Sequence, residues 1–120
     1  MDERIRFMEH KSKRILLLDF SRATASQMLP LLTQVQFTVA QQVPKSVLIL
    51  ANYEGAEIDH KVAMKIKEVL MFDRPFVKKA AWVGAEHIPH DLSENFHIFS
   101  QRETANFKNQ AEALDWLVQD

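Results

Sequence analysis

Three short apolar runs constrain this chain more than any other feature. They are "ILLLDF" (15–20), "SVLILA" (46–51) and "KKAAWVGA" (78–85). Each lacks the polar alternation of a strand with one wet face, so each reads as a strand buried on both sides. Between them lie segments with helical period. Thr24 or Ser26 caps a helix over about 24–42, with Pro30 inside its early turns and Pro44 closing the segment. Asp59 caps a second helix over about 59–73, which stops before Pro75.

The remaining elements complete the pattern. "RIRFM" (4–8) alternates like a half-wet strand, and "EHKSKR" is a polar turn leading into "ILLLDF". Leu92, Phe96 and Phe99 stand at i, i+4 and i+7, which makes 88–99 a helix, with Pro89 in its first turn. A short strand falls near 103–107. Asn109, with Glu112 three residues on, opens the last helix, "AEALDWLV". Strands alternating with helices predict an α/β fold: a single mixed, mostly parallel five-stranded sheet packed by about four helices, one domain over residues 1–120.

Composition removes several classes of function. With 47% hydrophobic residues the chain can fill a core, and its 120 residues suit one domain. Fifteen Lys and Arg against sixteen Asp and Glu leave a net charge of −1, without the basic excess of a general nucleic-acid binder. There is no cysteine, hence no disulfide, thiolate metal site or cysteine nucleophile. "MDERIRFMEHKSKR" lacks the apolar core of a signal peptide, and no apolar run approaches the roughly 20 residues of a membrane span. The expectation is a cytoplasmic protein, with peripheral contact at the inner face of the membrane as an option.

Catalytic and metal motifs do not assemble. The two glycines, Gly55 and Gly84, are too far apart for a phosphate-cradling loop. Asp19 ends a strand as a phosphoacceptor aspartate does, but its acidic and lysine partners cannot be assigned, and an Asp before Ser21 suits a loop entry. On a helical 88–99, His90, Glu94 and His97 fall within roughly a 60° arc. That arc opposes Leu92, Phe96 and Phe99 and so faces water, without the supporting shell a metal site needs. The serines and threonines of "SRATAS" are turn and cap residues, and no nucleophile elbow is present. The reading is non-enzymatic, with no cofactor and no metal.

The strings "PFVKKAAWVG" (75–84) and "FKNQAEALDWLV" (107–118) together resemble the small bacterial SpoIIAA-like family, or STAS/SEC14-like domains. The shared features are a Pro-aromatic-Val-Lys-Lys lead into an Ala/Val-rich strand ending in Gly, and a terminal helix carrying Ala113, Leu114, Trp116 and Leu117. The stretch from His87 to Phe99 departs most, since many relatives carry a longer, more basic helix there. The resemblance implies a mixed sheet packed by helices and two roles. One is partner binding of the anti-sigma-factor-antagonist kind, switched by phosphorylation. The other is binding of a small apolar or lipid-like molecule.

The phosphorylated regulators carry a Ser or Thr where the strand meets the next helix. Here residues 51–59 read "ANYEGAEID", without either. Glu54, Glu57 and Asp59 would repel a phosphate, so the switch is not expected; the acids either mimic a fixed phosphate or favour the helix N-terminus. Tyr53, at the strand's C-terminal edge, can line a ligand site or lid the core.

Surplus apolar residues carry the remaining signal. On the second helix Ile58, Val62, Ile66, Val69 and Leu70 form the core face, leaving Met64 and Met71 opposite its leading edge. On the first, Met28, Leu32, Val35, Val39 and Val43 form that face, and Phe37 lies roughly 160° away. Lys61, Lys65, Lys67, Arg74, Lys78 and Lys79 surround the second helix. Phe37, Met64, Met71 and Phe72, with Tyr53, are the candidate ligand-binding residues. An apolar molecule, a lipid head group, a protein partner and a second copy of the chain are the candidate occupants. An apolar ligand requires a cavity between helices and sheet, whereas an interaction module has a filled core under an exposed patch.

Overall fold

The structure is a computed structural model that describes residues 4–85, Ile88 and residues 103–119. Its strands are β1 (Ile5–His10), β2 (Lys13–Asp19), β3 (Val47–Asn52), β4 (Val77–Val83) and β5 (Glu103–Phe107). The helices among the described residues are α1 (Ala25–Ala40), α2 (His60–Phe72) and α3 (Gln110–Leu117). The expected helix over 88–99 falls outside the described residues apart from the buried Ile88.

The sheet runs in the order β1-β2-β3-β4-β5. β1 pairs antiparallel with β2, and the other pairings are parallel. Because the order advances steadily from β2, right-handed crossovers put α1 and α2 on the same face. Leu16, Leu18, Ile49, Ala51, Ala80 and Trp82 point to that face and bury Met28, Leu32 and Val35 of α1 and Val62, Ile66 and Val69 of α2. The intervening residues Ile15, Leu17, Leu48, Leu50, Ala81 and Val83 point the other way, onto Ala113, Leu114 and Leu117 of α3. Two covered faces explain why these strands carry unbroken apolar runs.

The helix ends follow from their caps. Thr24 and Gln27 form a full capping box at α1, and Asp59 accepts from the Val62 amide at α2. Asn109 accepts from the Glu112 amide at α3. α1 runs unbroken through Pro30 and ends at its C-cap, Gln41. Val43 therefore lies past the helix and is 71% exposed, not on the core face that the periodicity assigns it.

The polar turn expected within "EHKSKR" is present, and two local features shape the sheet around it. The β1–β2 hairpin turns on two residues, Lys11 and Ser12, both at positive φ (50° and 68°), without the Asn or Gly such turns favour. Lys79 alternates with Ala80 and so shares the α3 side with Ala81 and Val83, while a register shift between Val47 and Leu48, opposite Val77 and Lys79, leaves Val77 on the α1/α2 side. Lys79 is 9% exposed and donates to Trp116 O (3.0 Å) and Gln119 O (3.3 Å), with its ammonium 4.2 Å from the Trp116 ring centroid. Lys13 adds a bond to Val118 O (3.1 Å). Two lysines thus meet the carbonyl end of α3, where the helix dipole favours cations.

Candidate functional site

The outer side of the α1/α2 layer gathers the exposed apolar side chains. Among the described residues the large hydrophobics in the open are Phe37 (68%), Val43 (71%), Met64 (51%), Met71 (49%) and Phe72 (42%). All five belong to α1, α2 or the turn after α1. Helical period explains Phe37, Met64 and Met71, which lie opposite the residues each helix buries. Phe72, in the last turn of α2, is tilted against Phe76 with ring centroids 6.3 Å apart.

A polar seam joins the two helices at this surface. Gln36 of α1 donates to Glu68 of α2 (3.1 Å) and accepts from Lys65 (3.2 Å), while Lys65 also bonds Glu68. The Lys65 bond, and then the Gln36 bond, hold the Glu68 carboxyl below its ordinary value. The seam fixes α1 against α2, so the apolar residues on either side of it ride on a braced surface.

The loop after β3 is built differently. Its backbone ties to neighbouring strand ends through Tyr53 N to Val83 O (2.8 Å), Arg22 N to Glu54 O (2.8 Å) and Glu57 N to Ala23 O (2.9 Å). The Glu57 carboxylate accepts from Ala25 N at the start of α1 (3.0 Å), while Asp59 caps α2. The chain's own carboxylates thus sit at both helix N-termini on this edge, where a phosphate would otherwise bind. Sequence spacing pairs Asp59 with its own helix but carries no signal for Glu57, whose partner lies 32 residues away. Asp19 is engaged locally, accepting from the Ser21 amide (3.0 Å) and hydroxyl.

Tyr53 is separated from the other candidates. It is 3% exposed, stacked on Phe20 (5.2 Å between centroids) and edge-on to Trp82 (5.1 Å). These rings border a chamber between the helices and the sheet whose volume is about 20 Å³, room for one water molecule. Phe37, Met64, Met71 and Phe72 do not line it. The interior bounded by the described residues is a filled core. The expected trio His90, Glu94 and His97 lies outside the described residues, and no described helix is long and apolar enough to cross a membrane.

This architecture is the SpoIIAA-like, STAS-type α/β fold. The chain is similar over 94% of its length, and 91% of the other, to a DUF3478-family protein with a SpoIIAA-like fold from Shewanella loihica PV-4, at TM-score 0.72 and 15% identity. It is also similar over 96% of its length, and 98% of the other, to an anti-sigma-factor antagonist (STAS) domain protein from Planctomyces limnophilus, at TM-score 0.62 and 12% identity. No family model and no curated protein matches the sequence.

Proposed function

We propose that this chain is a non-enzymatic interaction module that binds a partner protein through the outer side of α1 and α2. One observation carries the reading: among the described residues the exposed large apolar side chains all gather on that layer, above a chamber that the described residues leave with room for about one water. Methionines make such a surface adaptable, and aromatic residues at its margins supply anchors. Lys61 is exposed at the start of α2, so the partner's complementary rim there is acidic. The STAS-domain neighbour, named for antagonism of an anti-sigma factor, supports a protein as the partner class. With Glu57 and Asp59 at the helix N-termini and no Ser or Thr over 51–59, the binding works without a phosphoswitch there.

Among the described residues a small apolar or lipid-like ligand finds its seat on the same outer surface, because the chamber beneath has room for only about one water. Native mass spectrometry of gently purified protein separates the occupants. The proposal expects a discrete protein complex that Met64→Glu/Met71→Glu abolishes. A homodimer lost in the same variant, or an apolar small molecule in place of a protein, contradicts it.

A further inference from the structure

A second surface lies beyond the turn that carries Val43, where the N-terminal ends of the parallel strands meet the end of α3. A groove of about 300 Å³ opens there, lined by Lys13, Arg14, Lys45, Ser46, Leu48, Lys78, Leu117 and Gln119. Among these described residues four of the eight are cations and none is a carboxylate, in a chain whose overall charge is −1. Leu48 and Leu117 are buried and give the groove an apolar floor.

The cations are not placed there to satisfy one another's partners. Lys13 is occupied by the α3 carbonyl end. Arg14 lies over the Phe7 ring at 3.7 Å from its centroid, and although Glu9 stands opposite it in the hairpin, no ion pair forms. Among the described residues Lys45 and Lys78 likewise have no carboxylate partner. Like charges converging on a concave surface raise the local potential and concentrate a counter-ion.

The backbone holds this arrangement at a cost. Lys45 adopts φ +61°, a left-handed conformation that a side chain disfavours. It is kept there by bonds from Lys45 N to Pro75 O (3.0 Å) and from Ser46 N to Phe76 O (3.1 Å). The same segment carries Lys78 into the register shift beside β3. Lys45 and Lys78 are therefore braced on one frame. The Ser46 hydroxyl already donates to Val43 O (2.6 Å), so recognition rests on the cations.

We propose that this groove is a binding site for a small phosphate-bearing molecule, with Arg14, Lys45 and Lys78 contacting the anion and Leu48 and Leu117 its apolar portion. Lysine and arginine are the side chains that bind phosphate by charge-assisted bonds, and the volume suits a small ester. None of Phe37, Val43, Met64, Met71 and Phe72 lines the site, so its ligand contacts are separate from those of the proposed partner binding.

The test is amide NMR on the full chain at low ionic strength, titrated with inorganic phosphate, pyrophosphate and glycerol 3-phosphate. Saturable shifts clustered at Arg14, Lys45, Ser46 and Lys78 are expected. Lys45→Ala/Lys78→Ala should weaken binding roughly tenfold or more. Lys45→Gly, which relieves the left-handed strain, should weaken binding without lowering the urea midpoint, an outcome a merely structural lysine would not give. Met64→Glu/Met71→Glu should leave the shifts intact, which separates this site from the α1/α2 surface. Association with phosphatidylglycerol-containing vesicles, lost in Lys45→Ala/Lys78→Ala, would identify the anion as a lipid head group; shifts with the soluble ester alone would identify a free metabolite. Shifts spread evenly over Lys61, Lys67 and the groove, or no response to any of these anions, would overturn the proposal.

Discussion

Gly84, where β4 leaves the sheet, has φ +71°, and a Cβ built there would lie 2.7 Å from both Cα and N of Glu54. Those are backbone atoms of the loop after β3, which cannot swing aside as a side-chain tip can. Gly84→Ala therefore combines left-handed strain with a backbone clash and should cost about 2–4 kcal/mol in equilibrium urea unfolding. Gly55→Ala meets chiefly the Arg22 side chain, at 3.2 Å, and should cost about 1 kcal/mol. Equal losses at the two positions would mean the loop is not packed as described. Glu68 offers a residue-scale test by pH. Its folded carboxyl lies below the ordinary value because Lys65 and Gln36 bond the ionised form. The stabilisation is thus fully present above the ordinary carboxylate range and is lost as pH falls through the lower folded value. Glu68→Gln should match the parent near that acid limit and fall below it at neutral pH, by a few tenths of a kcal/mol, since the pair is exposed. A pH-independent difference between the two proteins would contradict the seam.

At the scale of elements, α3 depends on groups far away in sequence. Lys79 and Lys13 meet its last carbonyls, while His10 and Lys11 of the hairpin reach Asp115. Lys79→Met keeps the stem but removes the donors, and should destabilise the protein by about 1–3 kcal/mol, with hydrogen exchange speeding first in α3. Exchange rising evenly over the sheet would argue against that local role. Element identity was largely legible beforehand because its signals are local: Thr24, Asp59 and Asn109 cap the helices, and unbroken apolar runs mark β2, β3 and β4. What escaped depends on geometry that spacing does not encode. The end of α1 at Gln41 strands Val43 outside the core. Lys79, in phase with Ala81 and Val83, lies at the foot of α3 and not on the expected wet face around α2.

Among the described residues the surface divides unevenly, with exposed apolar side chains on the α1/α2 layer and a basic groove, whose eight lining residues include no carboxylate, across the strand ends from α3. The first was readable from sequence, since Phe37, Met64 and Met71 fall opposite the core stripe of their own helices. The second was not, because Arg14, Lys45 and Lys78 come from separate strand entries brought together by the sheet. Met64→Glu/Met71→Glu should leave the urea midpoint nearly unchanged, within about 0.5 kcal/mol, because both side chains are half in water. The most direct test of the interaction surface is site-resolved photo-crosslinking in the protein's own cells. A photoreactive residue at Phe37 or Met71 should give one discrete adduct with a different protein, whereas the same residue at exposed Arg6 on the β1 edge should give none. Adducts of equal yield from all three positions, or from Phe37 and Met71 to lipid or a second copy of this chain, would contradict the account.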